Sequence, residues 1–544
     1  MRPDGLWVGV WPRMPRALII GSGPAAAGVA LALTCDPTQQ VTVVDVGATL
    51  APELRTSLHR LATTPEKSWS PDDLARISQQ PVPAGHGILP EKRTYGSDFP
   101  FRDVGQLDGI RALGAANPWA VSGAYGGLSN IWGAQIMPFS EATFDLWPVS
   151  RTEMEPHYLT ALDEMRLAGE ADDLAELFPL MASARPLPAP GDRTARVLGR
   201  YRARRALVRS HGITLGRARL ALRAEDCTRC GLCMTGCPYE LIYSSSHTFD
   251  RLRAEKRITY RADRLAVHLE EVDGEPRVMV RHVGTGRVER FAADRIFVAC
   301  GGIGTTRLVL GSLGVFDQTV HLQESMQFVM PAVSMRPVRD PRTTRSFTLN
   351  QFNLLYDATG QGLDLCQIHF YEYNPAFLAS LPRPLESPLA EPLLGALLRR
   401  VAVGLGYLPG WAAPRVNVVA RRVGAGNERL PVLEIDRDGT DRWPTILRGL
   451  VRAMLRVAPA LDLWPVVPMI SVSAAAKSYH FGSSFPHDRA RTMTSTDRTG
   501  RLAAWDNIHL VDASVFPAVP ATTFTLTIMA NAHRIASETL RAAR

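Results

Sequence analysis

The stretch from residue 17 to residue 45 constrains the fold more than any other part of the chain. A short apolar run ends in a G-x-G-x-x-A turn at residues 21–26, an alanine-rich segment follows, and a second apolar run ends on Asp45. Strand, glycine turn, helix, strand and acid follow one another in the order that is typical of a dinucleotide-binding βαβ unit. The sequence therefore predicts an α/β domain built on a parallel sheet.

Each motif residue has a physical role in such a unit. Gly21 allows the tight turn, Gly23 lets a pyrophosphate approach the backbone, and Ala26 is small enough for the helix to pack on the strand. The N-terminus of the helix faces the phosphates. Asp45 can accept hydrogen bonds from a ribose. The motif alone does not decide which dinucleotide is bound.

The length and charge of the chain limit the remaining possibilities. Its 544 residues are enough for two or more domains with large cores. The net charge of +8 comes almost entirely from arginine, and no nucleic-acid-binding motif accompanies it, so we predict no nucleic-acid partner. The first residues lack the apolar core of a signal peptide, and the most apolar later stretch, 392–411, is interrupted by arginine, glycine and proline. We predict no transmembrane segment and a cytoplasmic location, with export alongside a partner subunit as the alternative.

Four cysteines form a compact run followed by proline. Cys227, Cys230, Cys233 and Cys237 are spaced C-x2-C-x2-C-x3-C, as in bacterial ferredoxins, whereas zinc sites usually combine two distant C-x2-C pairs. The spacing favours an iron–sulfur cluster over structural zinc or a bare group of thiols. In two-cluster ferredoxins the last cysteine of this run serves the other cluster. Therefore either Cys237 completes a [4Fe-4S] cluster or one of the four cysteines is spare, which leaves a [3Fe-4S] cluster open.

The pattern of apolar residues predicts three parts of the chain. Residues 14–326 form a nucleotide-binding domain, with a helical insertion at 147–224 and the cysteine segment at 227–238. Residues 327–468 alternate between apolar and polar and predict a second α+β domain on an antiparallel sheet. Within it, Gln367, His369, Tyr371 and Tyr373 are expected to share one strand face, which lines either a substrate cavity or solvent. Residues 469–544 return to the first domain.

Several further segments resemble the glucose-methanol-choline (GMC) flavoprotein oxidoreductases over essentially the whole chain. They are GGLSNIWG at 126–133, ACGGIGT at 299–305, HFGSS at 480–484, LVDASVFP at 510–517 and TFTLTIMA at 523–530. In the segment at 480–484, one residue separates the histidine from the glycine, whereas two residues separate them in the HxxGG or HxxGT motif that it resembles. The spacing of Cys227, Cys233 and Cys237 is similar to that of the iron–sulfur subgroup, which includes bacterial FAD-dependent glucose and fructose dehydrogenases.

The resemblance implies a GMC-type fold and FAD as the dinucleotide. FAD is expected to bind non-covalently, because Ile131 stands where some members carry the histidine that binds flavin. The cofactor-binding residues that it implies, in addition to those of the first motif, are Gly126, Gly127, Ser129, Asn130, Gly301, Asp512 and Ala513. The implied catalytic residues are His480, as the base, and Thr523, at a position that is usually Asn or His. A histidine that merely packs within its loop is the alternative for His480.

The implied activity is oxidation of a CH–OH group of an alcohol or sugar-like substrate. Electrons would leave through the cluster to an external acceptor, such as a cytochrome, a ferredoxin or a small subunit. Two alternatives remain at this point. One is an oxygen-dependent oxidase with a structural metal site, and the other is a non-redox lyase or isomerase that holds FAD.

Overall fold

The computed structural model describes residues 15–78, 93–101, 109–112, 121–374, 387–424, 430–439, 442–473 and 478–542. The outer limits of the predicted domains, residues 14 and 544, lie outside these ranges. Within them, the α-helices are α1 (Pro24–Thr34), α2 (Pro52–Thr63), α3 (Pro71–Ser78), α4 (Glu141–Phe144), α5 (Arg151–Met165), α6 (Asp192–Ala203), α7 (Arg205–Arg209), α8 (Ser245–Ala254), α9 (Gly302–Leu313), α10 (Glu391–Leu398), α11 (Trp443–Leu461) and α12 (Thr525–Ala542).

The strands follow in the same numbering. They are β1 (Arg16–Ile20), β2 (Gln40–Val44), β3 (Ile110–Ala112), β4 (Leu167–Ala168), β5 (Ile213–Arg217), β6 (Leu220–Ala221), β7 (Ile258–Arg261), β8 (Arg264–Val272), β9 (Glu275–His282), β10 (Val288–Ala292), β11 (Arg295–Val298), β12 (Thr319–Glu324), β13 (Met326–Val333), β14 (Phe352–Asp357), β15 (Leu365–Tyr371), β16 (Val401–Leu408), β17 (Arg415–Arg421), β18 (Val432–Asp438), β19 (Trp464–Pro465), β20 (Ser471–Val472), β21 (Phe481–Gly482) and β22 (Ile508–Leu510).

A five-stranded parallel sheet forms the centre of the first domain, in the order β22-β11-β1-β2-β7. After the arginine that begins each of them, β1 and β11 are apolar and buried, as strands covered on both faces must be. The glycine turn follows β1 and leads into α1, as the sequence predicts. An antiparallel sheet in the order β10-β9-β8 lies beside it.

Helix α1 packs closely against α12, so the C-terminal helix closes the nucleotide-binding unit. A Cβ atom at Gly28 of α1 would stand 2.2 Å from the Met529 carbonyl oxygen of α12. Gly28→Ala should therefore lower the free energy of unfolding by about 1–3 kcal/mol, because backbone must move to admit one methyl group. Thermal melting and urea unfolding of the variant would measure the loss.

Gly199→Ala provides a matched control within another helix. A Cβ there would meet no described atom within 4 Å. The same substitution should then stabilise α6 by up to about 1 kcal/mol through helix propensity. Equal stability of Gly28→Ala and the wild type would show that the contact between α1 and α12 is not tight.

The second domain is built on a larger antiparallel sheet, in the order β19-β13-β16-β15-β14-β5, with β20 on β13. One face is apolar and packs against α11 through residues such as Phe328, Ile368 and Leu450. The other face carries Gln327, His369 and further polar residues. A separate sheet has the order β21-β12-β17-β18-β3.

The segment 147–224, expected to be helical, also contains strands. It supplies β5, which pairs antiparallel with β14 from Ile213↔Tyr356 to Arg217↔Phe352 and so joins the sheet of the second domain. Short strands that pair with distant residues leave little local pattern, which explains why only the helices were expected. The domain limits themselves stay a prediction.

Candidate active site

The glycine turn of the first motif has the geometry of an anion-binding site. Gly21 has a φ of +104°, and a Cβ atom there would stand 2.5 Å from the Ala299 carbonyl oxygen. Gly23 precedes α1, and a Cβ on it would have no described atom within 4 Å. None of the described side chains caps the N-terminus of α1, whose first turn also has no acidic residue. Free N–H groups beside open space fit a bound pyrophosphate.

Asp45 is buried at the end of β2 and is held by two hydroxyl groups. The Ser22 hydroxyl and the Tyr260 hydroxyl, the latter at 2.9 Å, both donate to Oδ2. Burial raises the pKa of Asp45 to about 6. Ser22 and Tyr260 were not among the predicted residues. Ser22 lies inside the motif, whereas Tyr260 comes from β7 and carries no sequence signal.

The loop at 126–130 lies directly against the glycine turn. The Gly126 N–H donates to the Ser22 hydroxyl at 2.9 Å, and a Cβ atom at Gly127 would stand 3.2 Å from the Gly23 Cα. The Ser129 hydroxyl donates to the Gly126 carbonyl, and the Asn130 amide donates to the Gly127 carbonyl at 2.8 Å. The two predicted glycine segments therefore lie against each other, and Ala26 of α1 is fully buried.

The third predicted segment, around Asp512, lies beside the start of α9. Gly301 precedes α9 with a φ of +77°. The Thr305 hydroxyl and the Ser514 N–H both donate to the Asp512 carboxylate. Burial raises the pKa of Asp512. The Ala513 carbonyl then accepts a hydrogen bond of 2.9 Å from the Ser483 N–H, which joins this segment to the loop of His480.

Two hydrogen bonds fix the backbone of His480, and two aromatic rings contact its side chain. Its N–H donates to the Ser478 hydroxyl at 3.0 Å, and its carbonyl accepts from the Ser325 N–H at 2.8 Å. The imidazole stacks on Tyr407 at 4.8 Å between centroids and contacts Phe524 at 4.8 Å. Nδ1 is buried without a hydrogen-bond partner among the described residues. Burial lowers the pKa of His480 to about 4, so the ring is neutral near pH 7.

Thr523 lies next to Phe524, but its proton is already engaged. The hydroxyl donates to the Gln135 carbonyl oxygen at 3.0 Å. It can therefore only accept a hydrogen bond from a substrate.

The polar face of the second sheet is buried, so it does not face solvent. Gln367, His369 and Tyr371 of β15 are 0%, 3% and 4% exposed. His369 contacts Tyr407 at 5.2 Å between ring centroids, and Tyr407 also stacks on His480. Burial excludes a solvent face, and the lining of a substrate cavity stays a prediction.

Four buried amide side chains connect this face to Thr523. The Asn350 amide donates to Gln135 Oε1 and to Asn353 Oδ1, both at 2.9 Å, and the Gln367 amide donates to Asn353 Oδ1 at 3.2 Å. Gln135 Nε2, Asn350 Oδ1 and Gln367 Oε1 remain buried without partners in the described part of the chain. Such atoms each cost free energy unless a ligand or water pairs with them.

The four cysteines lie close together in one irregular segment after β6. Burial raises the pKa of Cys230 to about 12 and that of Cys237 to about 11, and the neighbouring cysteines raise both values further. Each sulfur accepts a backbone N–H, for example from Thr348 to Cys233 at 3.4 Å. Among the described residues, no group of three or more His, Cys, Asp or Glu side chains is arranged to hold a metal ion. The predicted cluster is therefore not confirmed.

The fold is the predicted one. A parallel-sheet nucleotide-binding unit combined with a second domain on an antiparallel sheet matches the GMC oxidoreductase fold, which confirms the expected fold class. Among solved structures, the chain is similar to the crystal structure of pyridoxine 4-oxidase from Mesorbium loti, with a TM-score of 0.60 and 14% sequence identity over 97% of this chain and 99% of that chain. At this identity the likeness concerns the fold.

The sequence comparisons found no match. No family model and no curated protein sequence matches the chain. No helix within the described ranges is long and apolar enough to cross a membrane.

Proposed function

We propose that this protein is an FAD-dependent dehydrogenase of the GMC family that oxidises a CH–OH group of an alcohol or sugar-like substrate. The observation that carries the proposal is His480, a neutral imidazole beside the Asp512 segment and the polar sheet face, with one ring nitrogen that no described residue pairs with. A neutral histidine in that position can take the hydroxyl proton of an alcohol. FAD, when bound, takes up the hydride from the same carbon.

The residues of the first domain fit FAD as the dinucleotide. The glycine turn of Gly21 and Gly23 and the start of α1 would hold the pyrophosphate, and Asp45 would accept hydrogen bonds from the ribose. Gly126, Gly127 and Asp512 would lie nearer to the flavin. We propose that FAD binds non-covalently, since Ile131, an alkyl side chain, stands at the position of the linking histidine.

The substrate pocket that we propose is polar. Gln135, Asn350 and Gln367 each have a buried amide atom without a partner among the described residues. These atoms favour a substrate with several hydroxyl groups, because a hydrocarbon chain would leave them unpaired. A sugar or polyol is therefore favoured over a long-chain alcohol or a sterol.

An electron exit through the cysteine segment is supported by two contacts with the site. On one side, Thr348 donates its N–H to the Cys233 sulfur. Two residues further along the chain, the Asn350 amide donates to the Gln135 side chain, whose backbone carbonyl accepts the Thr523 hydroxyl.

On the other side, the Tyr95 hydroxyl donates to the Cys237 carbonyl at 2.9 Å. The adjacent Thr94 hydroxyl donates to the Asn130 carbonyl of the flavin loop at 2.8 Å. A [4Fe-4S] or [3Fe-4S] cluster held by these cysteines would then carry electrons from the site to an acceptor protein. In an iron–sulfur cluster the cysteine thiolates bind several irons, and N–H donors to the sulfurs help to set its reduction potential.

A second candidate is an oxidase that passes electrons to oxygen, with the cysteines as a structural site or as free thiols. Two observations favour it. The structural neighbour is by name an oxidase that acts on pyridoxine, and the described cysteines do not form a single-ion site.

One experiment separates the candidates. Protein purified without oxygen should be assayed for FAD, iron, acid-labile sulfide and zinc, and its spectrum recorded with a panel of sugars, polyols and simple alcohols. We expect one FAD, about three or four irons per chain and bleaching of the flavin by a polyol. Zinc without iron, or rapid reoxidation by oxygen alone, would support the oxidase. No bleaching by any substrate would contradict both.

The buried carboxyl of Asp45 makes FAD affinity dependent on pH. Its pKa of about 6 means that the carboxyl is protonated below pH 6 and ionised above it. The ionised form accepts stronger hydrogen bonds from ribose hydroxyls, so affinity should increase by up to about tenfold as the pH rises from 5 to 7. Fluorescence titration of apoprotein with FAD would measure this. Asp45→Asn should flatten the dependence, and the exposed Asp506→Asn should leave it unchanged.

A further inference from the structure

We propose that His369 and His480 together form a two-imidazole oxygen-binding site, in which His369 holds the substrate oxygen that His480 deprotonates. His480 belongs to the C-terminal loop, and His369 belongs to the sheet of the second domain. The reaction at this site is the one given by the proposed function. Whether the two rings bind one oxygen can be tested separately from the reaction.

The two rings meet at one tyrosine. Tyr407 stacks on His480 at 4.8 Å and 27°, and its ring lies 5.2 Å from that of His369. Gln367 of β15 pairs with Tyr407 of β16, and His369 lies two residues further along β15 on the same face. Both imidazoles therefore contact the same tyrosine ring, and His480 is close enough to His369 to lower its pKa.

Each imidazole has one buried nitrogen without a partner in the described chain. These are Nε2 of His369, which is 3% exposed, and Nδ1 of His480. Buried nitrogens of this kind are normally paired. Two of them at one place point to a ligand with an oxygen that pairs with both.

The two rings have complementary hydrogen-bonding ability. Burial lowers the pKa of His369 to about 3 and that of His480 to about 4, and the proximity of His480 lowers that of His369 further. Both are therefore neutral near pH 7, and each neutral ring has one N–H donor and one acceptor nitrogen. One can accept the hydroxyl proton while the other donates to the same oxygen.

Thr523 cannot supply that donor. Its proton is directed at the Gln135 carbonyl, so it offers only an acceptor to the substrate. A developing negative charge on the substrate oxygen needs a donor, and His369 supplies one when its buried Nε2 carries the ring proton.

The step balances without a further reactant. The hydroxyl proton would pass to His480, and FAD, when bound, would supply the acceptor for the hydride and its electron pair. The C–O bond becomes C=O while the His369 N–H donates a hydrogen bond to that oxygen, and His369 gains and loses no proton overall.

Substitution of His369 in the FAD-loaded enzyme tests the pair. His369→Ala should slow flavin reduction by the best alcohol of the panel about 100-fold, as loss of one oxyanion donor does. His369→Gln should stay within about tenfold of the wild type, because its amide N–H can reach the place of Nε2. His321→Ala, on an exposed histidine of β12 paired with Asn417, should be unchanged. Wild-type rates in His369→Ala, or equal loss in the Ala and Gln variants with normal FAD content and melting temperature, would overturn the proposal.

A second measurement does not depend on turnover. Crystals of the FAD-loaded enzyme soaked in glycerol should show one hydroxyl oxygen within about 3.2 Å of a nitrogen of each ring. Rings that bind different oxygens, or that pair with protein groups, would contradict the two-imidazole site. If no alcohol reduces the flavin but glycerol binds both rings, then the proposed function is wrong and the oxygen-binding site stands.

Discussion

Replacing His480 by alanine should slow reduction of bound FAD by the alcohol substrate by about 10²–10⁴-fold, the contribution of a positioned general base. The variant should still bind FAD, because the ring lies between Tyr407 and Phe524 and away from the Gly21 turn. Stopped-flow absorbance under anaerobic conditions measures the rate directly. His59→Ala, on an exposed histidine of α2, serves as the control.

The pH dependence provides a second readout for the same residue. Because burial lowers the pKa of His480 to about 4, the base stays unprotonated throughout the neutral range. The value of kcat/KM should therefore be nearly constant between pH 6 and 8 and fall only as the pH approaches 4. If His480→Ala were reduced at the wild-type rate, His480 would not be the base. An inflection near pH 6.5 that vanishes in this variant would show that the described environment of the ring is wrong.

Replacing Cys227 by serine should separate substrate oxidation from electron exit. Flavin reduction by the alcohol should persist, because Cys227 lies outside both the nucleotide site and the polar sheet face. Transfer to a one-electron acceptor such as ferricyanide or a cytochrome should fall about 100-fold or more, since even substitutions in the outer shell of a metal site cost 10–100-fold. Iron and sulfide should be lost in parallel. Cys35→Ser, on the exposed cysteine after α1, should change none of these quantities.

The other cysteines resolve the kind of cluster. If Cys230→Ser and Cys237→Ser each lose the cluster, all four cysteines are ligands of a [4Fe-4S] centre. If one of them retains three irons and a [3Fe-4S] electron paramagnetic resonance signal, that cysteine is spare. Full acceptor activity in Cys227→Ser would contradict the exit route and leave the oxidase as the better candidate.

The parts of the molecule that follow from local sequence were predicted correctly. The turn at Gly21, the strand ending in Asp45 and the alternation along β15 depend on neighbouring residues and on the periods of helix and strand. The partner of Asp45 on β7 could not be predicted, because Tyr260 is 215 residues away and only the sheet order β1-β2-β7 brings it near.

The polar face of β15 illustrates the same limit. Alternation shows that Gln367, His369 and Tyr371 share a face, but it does not show what covers that face. Burial of the face depends on how the C-terminal loop with His480 returns to it. For the same reason the sequence favoured Thr523 as the second catalytic group and did not reveal that its proton is used by Gln135.

The pairing of β5 with β14 has a practical consequence for protein engineering. A substrate module cut out at 327–468 would omit Ile213–Arg217 and leave β14 as an open, apolar edge that invites aggregation. Chimeras that exchange substrate specificity between enzymes of this architecture should therefore transfer the strand at 213–217 together with the later sheet. A library that varies only 327–468 would be expected to yield mostly insoluble protein, whatever the quality of its pocket.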